Sequence, residues 1–149
     1  MKPLIVLIAG FTATALISKI LQGDWNTLFA GNLAMCLMLF LTASGHVLFT
    51  KGMTMMIPPI VPFKAALVYL TGLLEVALGI GLLFHSSRNL CGIALLAMFV
   101  LLLPANIYAA VRRLDFEKAT YAGRGPAYLW FRVPLQLLFI GWVIYFSLG

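Results

Sequence analysis

The chain has 149 residues, about the length of one domain. Apolar residues make up 63% of it and Asp, Glu, Lys and Arg only 9%, against roughly 45–50% and 25% in an ordinary soluble domain. This excludes both a charged water-facing surface and a disordered polar chain, and leaves an integral membrane protein. The net charge is +6, but the basic residues sit at the ends of apolar runs, which marks topology and lipid contact rather than a nucleic-acid surface.

Crossing a bilayer as an α-helix takes about 20 apolar residues. Five runs qualify, over about 3–21, 27–48, 65–84, 90–111 and 127–148. They predict an all-α bundle of five transmembrane helices forming one membrane domain over 1–149. The first run follows Lys2 as a signal peptide would, but it is long for that role and no clean A-x-A cleavage site follows it before Lys19, so it is read as a helix. The connection KGMTMMIPPIVPFK (51–64) is apolar yet broken by Pro58, Pro59 and Pro62. It cannot be one regular helix and is expected to lie along the membrane interface or dip into it. The connection VRRLDFEKATYAGRGP (111–126) is the one truly polar loop, and its GRGP fits a turn ahead of the last helix.

Five spans put the N-terminus and both long loops on one side. That side carries Lys2, Lys51, Lys64, Arg112, Arg113, Lys118 and Arg124, and the other carries Lys19 and Arg88. The excess of basic residues predicts a cytoplasmic N-terminus and a C-terminus outside.

Cys36 and Cys91 lie far apart in the chain, no CxxC pair exists, and the two His and two Cys show no metal-ligand spacing. Both cysteines read as packing residues. Met53, Met55 and Met56 are soft, but copper capture wants exposed, spaced thioethers. His85 and His46 fall about one membrane thickness apart, which disfavours a bis-His haem and leaves His85 as a solvated loop residue. Tyr69, Trp130, Trp142 and Tyr145 read as packing residues or interface anchors. No catalytic residues, phosphate loop or metal site emerge.

The polar residues inside the apolar runs carry what chemistry there is. A charge at a helix centre costs roughly 2.5–3.5 kcal/mol on insertion scales, so it normally faces the bundle interior and is paired. Glu75 lies mid-way through the third run (TGLLEVALGIG) and Arg132 early in the fifth (YLWFRVPLQ). A long Arg side chain can close their difference in depth, so an ion pair is expected between them. Gln136 follows Arg132 by one helical turn on the same face. Asn106 follows Pro104, which frees the carbonyl of Val100, and His46 ends the second run. Thr71, Gly72 and Gly79 make the face around Glu75 small enough for a helix or ligand to approach closely. Two readings compete: a polar lock that fixes helix register, or a pocket for a quinone carbonyl, a lipid headgroup or a proton. Five convergent residues (His46, Glu75, Asn106, Arg132 and Gln136) exceed what a lock requires and favour the pocket.

The pieces GHVLF, MIPPIVPF, YLTGLLEVALGIGLLF, LPANIYAA and YLWFRVPLQLLF resemble, in order and spacing, the DoxX family of small bacterial membrane proteins. The resemblance covers about residues 40–145, and the first span departs from the usual four-helix pattern. It implies a DoxX-like four-helix core in the bacterial inner membrane and places the family's recurring polar positions on the same five residues, with no catalytic role attached. Two classes follow from it. One is a non-enzymatic accessory or assembly protein that binds a lipid, a quinone or a partner helix, as the distant relative NACHO assists channel assembly. The alternative is a membrane subunit of a quinone-coupled oxidoreductase, as the related DoxD proteins suggest, in which Glu75 and Arg132 would pass protons or hold the quinone head. The expected partners are therefore the bilayer and a membrane protein or a second copy of the chain.

Overall fold

A computed structural model describes residues 2–149. Five helices long and apolar enough to cross a membrane run through it, as the apolar runs predict. They are α1 (Lys2–Gln22), α2 (Thr27–Leu48), α4 (Lys64–Gly81), α5 (Arg88–Val111) and a last span that opens on a 3-10 turn (Gly125–Tyr128), continues as α6 (Leu129–Val143) and closes on a π-helical turn (Ile144–Leu148). A short helix, α3 (Thr50–Met56), precedes the proline run.

Local chemistry sets these boundaries. Gly23, at φ 80°, ends α1, and the Asn26 side chain caps α2 by accepting from the Phe29 amide at 3.1 Å. Pro58 and Pro59 stop α3 soon after Met56. The third span ends at Gly81, three residues before the expected 84, because side chains from the next helix take its last carbonyls. Ser87 Oγ donates to Gly81 O at 2.8 Å and Arg88 Nε to Leu82 O at 3.2 Å.

α2 is the central helix. Ten of its residues are buried, against three in α1. The core joins Leu7 of α1, Met35, Met38 and Leu39 of α2, Leu95 and Phe99 of α5, and Phe139 and Val143 of α6. α1 and α4 approach α2 closely because glycines face it. A Cβ on Gly10 would lie 3.5 Å from Ala34 Cα, and one on Gly79 would lie 3.5 Å from Cys36 Cα.

The polar loop is folded rather than loose. Asp115 and Thr120 exchange backbone hydrogen bonds at 2.7 and 3.2 Å, while the Asp115 carboxylate accepts from the Glu117 and Lys118 amides. The loop closes over α3: Phe116 meets Phe49 edge-on at 6.1 Å, and its carbonyl lies where a Gly52 side chain would be. Lys2 Nζ lies 3.7 Å from Glu117 Oε1. The start of α1, α3 and the 112–124 loop thus share one end of the bundle, the basic end.

Candidate functional site

The five expected polar residues do not converge. They divide into pairs, each fastening two helices, and the expected Glu75–Arg132 ion pair does not form among the described residues.

The first group joins α2 to α4. His46 and Glu75 are 9% and 5% exposed, with His46 Nε2 at 3.4 Å from Glu75 Oε1. Thr42 Oγ1 donates to Glu75 Oε2 at 2.7 Å. His46 Nδ1 lies 2.7 Å from Val68 O and 3.2 Å from Thr71 Oγ1. α4 is displaced along its axis relative to α2, so His46, two residues from the end of α2, sits level with the stretch from Val68 to Glu75. That displacement takes Glu75 to His46 instead of Arg132. Gly72 permits the approach: its Cβ would come within 2.9 Å of His46 Cβ. The small face around Glu75 is occupied by a helix.

The proton count of this group follows from donor chemistry. A carbonyl oxygen only accepts, so Nδ1 carries a hydrogen and gives it to Val68. Nε2 then faces a carboxyl oxygen, and a lone pair cannot be held against a carboxylate in a dry interior. One proton is therefore shared between His46 and Glu75, as imidazolium with carboxylate or as imidazole with carboxylic acid. Either way the pair has zero net charge, the state with the smallest desolvation penalty.

The second group joins α5 to α6. Arg132 Nη2 donates to Asn106 Oδ1 at 2.8 Å, and its guanidinium lies 5.8 Å from the Phe116 ring and 6.0 Å from the Tyr128 ring. Gln136 Nε2 donates to Phe99 O at 2.9 Å, in the turn that Pro104 weakens.

A third group lies at the opposite end and escapes a search for charges. Fully buried Asn32 donates from Nδ2 to Leu28 O at 2.8 Å and to Phe146 O at 2.7 Å, and its Oδ1 accepts from Ser147 Oγ at 2.7 Å. The last carbonyls of a helix lack intrahelical donors, and Asn32 supplies one where the chain ends in its π turn. Beside it, Trp142 Nε1 donates to Gly31 O at 3.0 Å. Asn32→Leu should leave the Phe146 carbonyl and the Ser147 hydroxyl unpaired and cost roughly 2 kcal/mol. Thermal unfolding in detergent checks this, and faster amide exchange should appear first in residues 144–148.

Two grooves reach the first of these groups from outside. One, about 450 Å³, runs between α2 and α4 with Ala43, His46, Gly72 and Leu73 among its walls. The other, about 370 Å³, lies between α4 and α5 and is lined by Leu74, Leu78, Ala97 and Leu101, with Thr71 its one polar side chain. No buried side-chain nitrogen or oxygen among the described residues is left without a partner.

Fold and site thus define an all-helical protein with five membrane-length spans, cross-braced by polar pairs and grooved on its outer faces. A family model described as a domain of unknown function, DUF8561, matches residues 35–147, about three quarters of the chain, and the chain belongs to that family. The match begins at Met35, part-way along α2, runs from there to Ser147, and leaves α1 outside. No curated protein and no solved structure matches the chain.

Proposed function

We propose that this chain is a non-enzymatic accessory or assembly protein with a DoxX-like four-helix core, which holds a transmembrane helix of a partner protein against its α2–α4 face. The observation that carries the reading is where the polar groups point. Glu75, His46, Asn106, Gln136 and Asn32 are all engaged with partners of the chain itself. Arg132 apart, what the spans offer outward is mainly apolar. Small residues, Ala43, Ser44 and Gly72, form part of the α2–α4 groove, which lets another backbone come close. The excess of basic residues at the end that carries Lys2 and the 112–124 loop supports a cytoplasmic N-terminus in a bacterial inner membrane.

One observation favours the second reading, a membrane subunit of a quinone-coupled oxidoreductase. The proton shared by His46 and Glu75 lies beside a groove open to the outside, where a reduced or oxidised ring would find an exchange partner. Electrons would have to come from another subunit.

Photocrosslinking in native membranes separates the two. A benzoylphenylalanine at Leu73, which is 67% exposed in the groove, should give one discrete protein adduct, repeated from Val47 and missing from a probe at Ile5 on α1. An adduct with a quinone, or lipid adducts indistinguishable from those at Ile5, would defeat the accessory reading.

A further inference from the structure

The geometry points to a binding site for the phosphate of an anionic phospholipid, formed by Arg132 and Arg113 beside the Gly125–Tyr128 turn. This inference does not rest on the accessory reading.

It starts from an unbalanced charge. The chain has four acidic residues. Glu75 is engaged by Thr42 and His46. The Asp115 carboxylate holds its own turn, and Glu117 pairs with Lys2. Asp24 lies at the opposite end of the bundle, between α1 and α2. Among the described residues no carboxylate stands within ion-pair distance of Arg132 or Arg113. Yet Arg132 belongs to a membrane-length span, where a cation without a counter-ion is costly. Its guanidinium has five N–H donors, and one hydrogen bond, to Asn106, is made within the chain. Its unpartnered nitrogens are not sealed in the interior. The side chain is held by Asn106 and lies over the Phe116 and Tyr128 rings. A fixed, half-exposed fork with free donors is the form in which arginine recognises phosphate.

The level is right for a headgroup. Arg132 lies seven residues from the start of the last span at Gly125, about 10 Å at helical rise. An arginine side chain snorkelling toward the helix start recovers most of that depth. Arg113 lies against the same turn: a Cβ on Gly125 would lie 3.1 Å from its Cγ and 3.3 Å from its Nε. Gly125 and Arg113 both hold positive φ, 71° and 54°, so the backbone on each side is set to lay Arg113 along the turn. Among the described residues no carboxylate neutralises the two cations. An anion that arrives from the bilayer, with its acyl chains beside the apolar outer face of α6, would do so.

Native mass spectrometry tests the site, with the full-length protein in mild detergent titrated with phosphatidylglycerol, phosphatidylcholine or inorganic phosphate. Phosphatidylglycerol should be retained in preference to phosphatidylcholine. Arg132→Gln and Arg113→Gln should each weaken that retention by roughly tenfold, with circular dichroism unchanged. Should Arg132→Gln fail to fold, Arg113→Gln, on an exposed loop residue, decides alone. Equal retention of the two lipids, or phosphatidylglycerol retention unchanged in folded Arg113→Gln, would overturn the proposal. Displacement of the lipid by millimolar inorganic phosphate would assign the site to free phosphate and overturn the lipid as its occupant.

Discussion

His46→Leu is expected to cost roughly 3–5 kcal/mol of stability, Glu75→Leu less, about 1–3 kcal/mol, and the double substitution less than the sum of the two. The asymmetry follows from the shared proton. Without His46, the carboxyl of Glu75 must either carry a bare charge beside apolar neighbours or keep a proton of its own, with Thr42 as its remaining partner. Without Glu75, His46 still donates from Nδ1 to Val68 and leaves an unpaired Nε2 acceptor. Thr42 turns back to Leu39 O, already 3.0 Å away. With both replaced, α2 and α4 meet through apolar side chains. Unfolding of the four proteins in mixed micelles measures the cycle. Additive losses would mean that the two groups do not act as one unit.

Gly52→Ala should have the next largest effect. An added Cβ would overlap Phe116 O, with Phe116 C and Cα also in the clash. Both sides of the clash are backbone, so no rotamer relieves it. Either α3 or the 112–124 loop must lift, which costs on the order of 3 kcal/mol. The loop also contributes Phe116 to the surroundings of Arg132. The variant should therefore gain rapid trypsin cleavage at Lys118 and Arg124 while the five spans stay intact. A cleavage pattern unchanged from wild type would show that the loop does not rest on α3.

The spans themselves were legible in the amino-acid sequence because twenty apolar residues in a row leave one structural option. The connections were less so. The 112–124 loop reads as a polar linker, yet Asp115 organises it into a turn that docks on Gly52, a contact between segments more than 60 residues apart. The last span reads as one helix, but Asn32 draws on a carbonyl near its end and the final turn is π. For the site, the residue types were readable and the partners were not. Depth along each span paired Glu75 with Arg132, whereas the axial offset of α4 pairs Glu75 with His46, and no sequence pattern states that offset. A signal was available in Thr42–His46 and Thr71–Glu75. Each hydroxyl lies one turn before the ionisable residue, on the same helix face, and each bonds across to the group on the other helix. Asn32 escaped because a neutral amide in an apolar run weighs less than a charge, although its burial demands the same full pairing.

The central claim is that the buried polar groups fasten helices while the outer grooves meet the partner. Glu75→Gln tests this most directly. A glutamine amide can donate to His46 Nε2 and accept from Thr42, so the brace survives while the shared proton is lost. The account predicts that this variant keeps wild-type stability within about 1 kcal/mol and gives the same protein adduct, in the same yield, from a photocrosslinker at Leu73. A stably folded Glu75→Gln protein that has lost the adduct would contradict the account, because the carboxyl and its proton would then be part of the function rather than of the brace.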